Sequence, residues 1–385
     1  MRRRTLYLSI SATLSVAVAA TACAPLFSPG EPQNRVDSPV VELGEALASR
    51  SKTQRHDRTP PRVDIAPPPR ASSDEEDSDA GAMTVAVVSD MNGGYGSTSY
   101  TREVRRTVDW LTEDLEPDLV VSTGDHVAGQ KRGLDYASMW DAFHETVTEP
   151  LKEAGIPFAP TPGNHDASAA PRYRRERQRF RREWRARRPS VEFVDQAHFP
   201  LRYAFEVGPA LFVSIDATMP GRLPDRQFRW LEGVLSESDH RVKIVYGHLP
   251  LVPFAEGRES EILGSRRLEQ LLRAEEVDMM LSGHHHAYYP GRRGSLRLVG
   301  MACLGGGARD LLGTDRRSRH SAVVLRVSRD GEIDVEAHYG EEMHKTVDRE
   351  ALPESLGDGR WRIWREDVGI TSRRPGDRVA AAVTL

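Results

Sequence analysis

Five short segments of this 385-residue chain concentrate carboxylate, amide and imidazole side chains beside glycines or at the ends of apolar runs: Asp90-Met91-Asn92, Gly124-Asp125-His126, Gly163-Asn164-His165-Asp166, Gly247-His248 and Gly283-His284-His285-His286. Carboxylate and amide oxygens and neutral imidazole nitrogens are metal donors. Imidazoles and carboxylates also carry protons in catalysis. Each segment alone reads as a turn or a strand end, whereas all of them together would deliver a nitrogen- and oxygen-rich metal centre into one crevice. The only cysteines are Cys23 and Cys303, which excludes a thiolate zinc site and a disulfide scaffold.

The elements that must position these residues are short apolar runs. Thr84–Ser89, Leu119–Ser122, Phe158–Thr161, Val242–Tyr246 and Asp278–Leu281 are rich in β-branched and other apolar residues, and each directly precedes one of the polar segments. In α/β sheets the carboxyl ends of the strands line the ligand crevice. Further strands are predicted at Leu201–Val207, Leu211–Ile215, Leu296–Gly300, Ala322–Val327 and Ile333–His338. The spacing of Val104, Val108, Leu111 and Leu115 predicts a helix, and others are expected over residues 135–154, 224–235 and 262–274. Early strand–helix alternation followed by hairpin-like strands predicts an α/β domain of mixed sheets over residues 83–340, with a polar tail at 341–385.

The N-terminus reads as a targeting segment. Arg2, Arg3 and Arg4 precede an apolar stretch, and Ala20-Thr21-Ala22 stands before Cys23. A signal peptide over 1–22 with lipidation at Cys23 is expected, although Ala-x-Ala also suits ordinary signal cleavage. Residues 23–82, rich in proline, serine and charge, are expected to form a disordered tether. The protein would then be exported to a periplasmic or cell-surface location and held to the membrane by a lipid anchor. A net charge of −4 argues against a nucleic-acid partner.

The ordered blocks DMN, GDH, GNHD, GH and GHHH resemble the five-block signature of the calcineurin-like metallophosphoesterase superfamily, across residues 84–286. That resemblance implies a four-layer α-β-β-α sandwich of two mixed sheets flanked by helices. It also implies a dinuclear centre bridged by Asp125. One ion (manganese, iron or zinc) would take Asp90, Asn92, Asp125 and His286, and the other Asp125, Asn164, His248 and His284. A metal-bridging hydroxide would then attack phosphorus, with His165 as proton donor or charge stabiliser and Asp166 orienting His165. His285 would point away. Asn92 stands where the family usually has histidine, and a harder amide donor there favours manganese, magnesium or ferric iron. His126 stands where many relatives have asparagine, which suggests a supporting role.

Other segments bear on the substrate. Arg172–Arg188 holds ten arginines and two glutamates. It reads as a helix docked by Tyr173, Phe180 and Trp184, its basic face either merely solvated or steering anions. Arg309, after Gly305-Gly306-Gly307, is a candidate phosphate contact. The resulting expectation is a phosphoric ester hydrolase acting on a phosphorylated small molecule or phosphoprotein. A diesterase or pyrophosphatase using the same site, and a catalytically silent binding lipoprotein, are the alternatives.

Overall fold

The computed structural model describes residues 83–357, 359 and 361–363. The expected signal peptide, the tether and Cys23 lie outside the described residues. Among the described residues fifteen strands form two sheets. In chain order they are β1 (Met83–Val88), β2 (Leu119–Ser122), β3 (Phe158–Ala159), β4 (Glu192–Asp195), β5 (Tyr203–Val207), β6 (Ala210–Ser214), β7 (Val242–Gly247) and β8 (Met279–Ser282). Then come β9 (Tyr289–Arg293), β10 (Leu296–Gly300), β11 (Ser321–Val327), β12 (Ile333–Tyr339), β13 (Glu342–Thr346), β14 (Ser355–Leu356) and β15 (Trp361–Ile363). The helices are α1 (Arg102–Trp110), α2 (Tyr136–Phe143), α3 (Glu149–Glu153), α4 (Asn164–Ala167), α5 (Arg174–Ala186), α6 (Asp225–Ser236) and α7 (Arg266–Ala274). No helix among the described residues is long and apolar enough to cross a membrane.

The first sheet has the order β13-β12-β11-β1-β2-β3 and the second β14-β15-β9-β10-β8-β7-β6-β5-β4. Both are mixed: β1 runs parallel to β2 and antiparallel to β11, while β6, β7, β8 and β10 are successively parallel. The two-residue period of a strand explains the layering. Phe205, Phe212, Ile244, Met279 and Leu281 of the second sheet share one apolar cluster with Val85, Val87, Val121 and Val323 of the first. Their sequence neighbours Ala204, Leu211, Val213, Val245 and Met280 instead pack with Phe228, Leu231 and Leu235 of α6 and Leu268 and Leu272 of α7. Val104, Met139, Trp140, Phe180 and Trp184 bring α1, α2 and α5 onto the first cluster. The result is the four-layer α-β-β-α arrangement.

Three expectations need correction. Residues beyond 340 are not all polar tail: β13 extends the first sheet, and β14 and β15 extend the second beside β9. An edge strand can be this polar because it meets water: of the five residues of β13 only Met343 is buried. Helix α7 begins at Arg266 rather than Ile262, because Ser265 caps it through Leu268 N–H at 3.2 Å. Phe180 and Trp184 of α5 are buried as expected, but Tyr173 precedes the helix and is only half-buried, with Arg172 stacked over its ring.

Candidate metal centre

Parallel pairing brings the polar segments together. Val88 pairs with Ser122, so the chain beyond β1 and β2 stays in step, and Asp90 N–H donates to the Gly124 carbonyl at 3.0 Å. On the second sheet Gly247 pairs with Ser282, and Gly283 N–H donates to the His248 carbonyl at 3.0 Å. The helix that carries Asn164 is fixed by His165 N–H, which donates to Asp125 Oδ1 at 2.8 Å. Close approach demands glycine here: a Cβ on Gly163 would overlap the Asp125 carboxylate, and one on Gly283 would overlap Ser89 Oγ and Asp90 Oδ2.

The backbone is strained where these side chains converge. Seven described non-glycine residues have positive φ, and four of them are Asp90, Asp125, His284 and His286, at 48°, 58°, 65° and 53°. Such conformations cost free energy and persist where the surroundings enforce them, commonly at functional sites.

Asp90, Asp125 and His248 offer ligand atoms that all lie within 4.8 Å of one another, all three residues being buried. His248 Nδ1 lies 3.0 Å from the Thr123 carbonyl, which can only accept, so Nδ1 carries the proton. In the neutral ring Nε2 then keeps its lone pair, 3.3 Å from Asp125 Oδ2 and 2.8 Å from Asn164 Oδ1. His286 repeats the device: Nδ1 donates to Gly307 O at 3.0 Å, and Nε2 faces Asp90 Oδ1 at 3.2 Å. His284 Nε2 donates to Glu261 Oε2 at 2.7 Å, which turns its Nδ1 toward His248 Nε2 at 3.2 Å. Asp90 Oδ1 is buried without a hydrogen-bond partner. With the imidazoles neutral, their lone pairs and the carboxylate oxygens converge on a largely buried centre. A cation fits there, and the nitrogen and oxygen donors suit manganese, iron or zinc.

The electrostatics respond to that deficit. Burial would raise the Asp90 and Asp125 carboxyls, but the imidazoles of His286 and His248 outweigh it and hold both below the ordinary carboxylate range. Burial opposes charge on His248 too, yet the Asp125 carboxylate raises it to about 9. A proton is drawn to the place a cation suits.

Other predicted residues lie as follows. Asn92 is buried, its N–H donating to Asp125 O at 3.1 Å, while its side chain makes no hydrogen bond among the described residues. The half-buried His165 leaves Nε2 accessible, while its Nδ1 is buried and unpartnered. Arg309 N–H donates to the His286 carbonyl at 3.1 Å, and its guanidinium has no hydrogen bond or ion pair among the described residues. His285 turns into the protein against Phe254.

Asp166 does not orient His165. Its Oδ1 accepts from Gly163 N–H and its Oδ2 from His126 N–H, both at 2.7 Å, with His126 Nδ1 2.6 Å from the same Oδ2. Successive side chains on the first turn of a helix point in different directions, so Asp166 braces the loop from behind while His165 stays half-exposed. The His126 ring lies among Phe143, Phe158 and Trp184 and takes no part in the cluster.

Sequence reasoning missed Glu261. Its carboxylate pairs with His284 and Arg258, and its carbonyl lies 3.2 Å from His285 Nε2, so one residue grips two of the three consecutive histidines. Its distance from them in sequence left no signal. Ser89 and Thr123, whose hydroxyls chain onto Asp90 Oδ2, were also unread.

The calcineurin-like phosphoesterase family model matches residues 83–288 of the chain. Purple acid phosphatase 22 of Arabidopsis thaliana is 30% identical over 165 residues, covering 40% of this chain and 36% of that protein. The chain therefore spans little more than a third of that relative's length. Among solved structures, purple acid phosphatase PPD1 from yellow lupin (Lupinus luteus) seeds superposes with a TM-score of 0.52 at 19% identity, covering 69% of this chain and 53% of that one. GAP50, the anchor in the inner membrane complex of Plasmodium, superposes with a TM-score of 0.50 at 16% identity, covering 74% and 90% respectively. At these identities the two structures speak for the fold alone.

Proposed function

The chain belongs to the calcineurin-like phosphoesterase family, and from that premise we propose that it is a metal-dependent hydrolase of phosphate esters working at the cluster around Asp125. The observation that carries this reading is the convergence of Asp90, Asp125 and His248, buried and within ligand distance, with the protons of His248 and His286 held on the far side of each ring. Asp90, Asn92, Asp125 and His286 would hold one ion, and Asp125, Asn164, His248 and His284 a second. Bound together, two such ions neutralise phosphoryl oxygens and acidify water.

The chain's own groups supply the rest. The unpaired guanidinium of Arg309 is free to take two phosphoryl oxygens through parallel N–H bonds. His165, anchored through its backbone to Asp125 and Gly129, presents Nε2 to the leaving oxygen and gives it a proton as the P–O bond breaks. Asp166 acts through the loop, by fixing Gly163 and His126. A phosphorylated small molecule or phosphoprotein is the proposed substrate, with diesters or pyrophosphates open to the same site. Export, and membrane attachment through a lipid on Cys23, belong to the same proposal.

Reconstitution with manganese or iron, elemental analysis, and assay on p-nitrophenyl phosphate and bis(p-nitrophenyl) phosphate test it. Two ions per chain with turnover of either ester is expected. Bound ions without turnover of either would replace this reading with a binding module.

A further inference from the structure

The proposed chemistry leaves one side chain beside His165 unused. Tyr95 lies on the loop Asn92-Gly93-Gly94-Tyr95-Gly96, and its side chain is directed into solvent with 59% exposure. Only Val194 and Met219 among the described large hydrophobic residues are comparably exposed. The Tyr95 ring centroid is 5.5 Å from that of His165, the rings inclined at 52°.

The loop is built to hold the ring there. Ser97 N–H donates to Gly94 O at 2.9 Å, which closes a turn with Tyr95 at its second position. Gly96 N–H donates to Ala128 O at 3.0 Å and ties the turn to the segment after Asp125 and His126. Gly96 has φ of +80°, and a Cβ there would press on the Leu134 side chain, so the turn is seated closely as well as hydrogen-bonded. The Tyr95 hydroxyl makes no hydrogen bond among the described residues. No contact of its polar end therefore explains why an aromatic face should be left in water beside an accessible imidazole nitrogen.

We propose that Tyr95 is the wall of a leaving-group subsite, and that the preferred substrate is a phosphate ester whose alcohol carries a planar aromatic ring. This rests on His165 being the residue that protonates the leaving oxygen. With that oxygen at His165 Nε2, an aryl or arylmethyl group attached to it comes within ring-contact range of Tyr95, about 4.5–7 Å between centroids. Hydrolysis breaks the P–O bond, His165 gives its proton to the departing alcohol, and Tyr95 contributes ring contact only. An aliphatic ring of equal size fills the same space without the edge-to-face attraction. Discrimination should then be about two- to tenfold.

The test compares benzyl phosphate with cyclohexylmethyl phosphate on the full, manganese-loaded chain, since both release a primary alcohol bearing a six-membered ring. Binding of the non-hydrolysable benzylphosphonate and cyclohexylmethylphosphonate is measured alongside by calorimetry. Benzyl phosphate should have the higher kcat/KM and benzylphosphonate the lower Kd, each by about two- to tenfold. Both preferences should vanish in Tyr95→Ala and survive in Tyr95→Phe, which keeps the ring. Equal handling of the two esters by the unaltered chain, or an unchanged preference in Tyr95→Ala, overturns the subsite while leaving phosphoester hydrolysis standing. Hydrolysis of neither ester by the ion-loaded chain overturns the enzymatic reading and this inference with it.

Discussion

The two halves of the cluster around Asp125 are braced to different degrees. On the side of Asn164, His248 and His284, both imidazoles are held from behind, His248 by the Thr123 carbonyl and His284 by the Glu261 carboxylate. The side chains of His248 and Asp125 are 0% and 1% exposed. On the side of Asp90 and His286 a single imidazole serves, its side chain 17% exposed and its Nδ1 on the Gly307 carbonyl of a glycine loop. Asn92, where an imidazole would complete that half, brings an amide that makes no side-chain hydrogen bond among the described residues. Partners behind a ligand fix its tautomer and aim and raise metal affinity. The proposal therefore carries a ranking: the His248–His284 half binds its ion more tightly, and the His286 half releases its ion first.

Asp125→Asn should have the largest effect, because it removes the carboxylate proposed to serve both halves. Phosphoesterase activity should fall by more than the roughly 10–100-fold that loss of an outer partner costs, and elemental analysis should show fewer than two ions per chain. Glu261→Ala comes next and is selective. Chelator competition should report an affinity at the tighter half lowered by about 10–100-fold, with the weaker half little changed. Glu261→Gln should fall between, since its amide oxygen still accepts from His284. Asn92→His acts in the opposite direction. It should raise zinc affinity at the weaker half and narrow the gap between the two, which the same titration reads.

The smallest effect lies outside both halves. His144 packs in the aromatic layer against Trp140 and Trp184, where burial, and then the positive charges of Arg187 and Arg179, push its pKa down to about 3 from 6.5. Between these values the unfolded chain binds a proton that the folded chain refuses. The stability associated with His144 is thus whole above pH 6.5 and is lost as pH falls toward 3, by at most about 1.4 kcal/mol per pH unit. Denaturant titrations of unaltered protein and His144→Phe across this range should show a flatter acid limb for the variant.

Much of this centre was legible because its residues sit at strand ends, where an apolar run stopping at Gly-Asp or Gly-His announces both the element and its polar tip. Asp90, Asp125, Asn164, His248, His284 and His286 were marked as candidates that way and lie together in the structure, while His285, read as facing elsewhere, packs against Phe254. Direction within a helical turn was not legible. Adjacency in sequence linked Asp166 to His165, whereas the first turn of α4 sends Asp166 back to Gly163 and His126. Glu261 escaped because a loop of irregular backbone delivers it, and no periodicity relates that loop to the histidines it grips. The strands beyond residue 340 escaped because short, polar edge strands resemble an unstructured tail until a neighbour such as β9 or β12 is known.

Asp125 is proposed to stand between two cation sites of unequal strength. Anomalous scattering from crystals of the protein soaked in manganese addresses it directly. Two peaks about 3.5–4 Å apart are expected, one on each side of the Asp125 carboxylate, and the one beside His286 should lose occupancy first as manganese is lowered. A single peak, or peaks away from Asp125, would contradict the account.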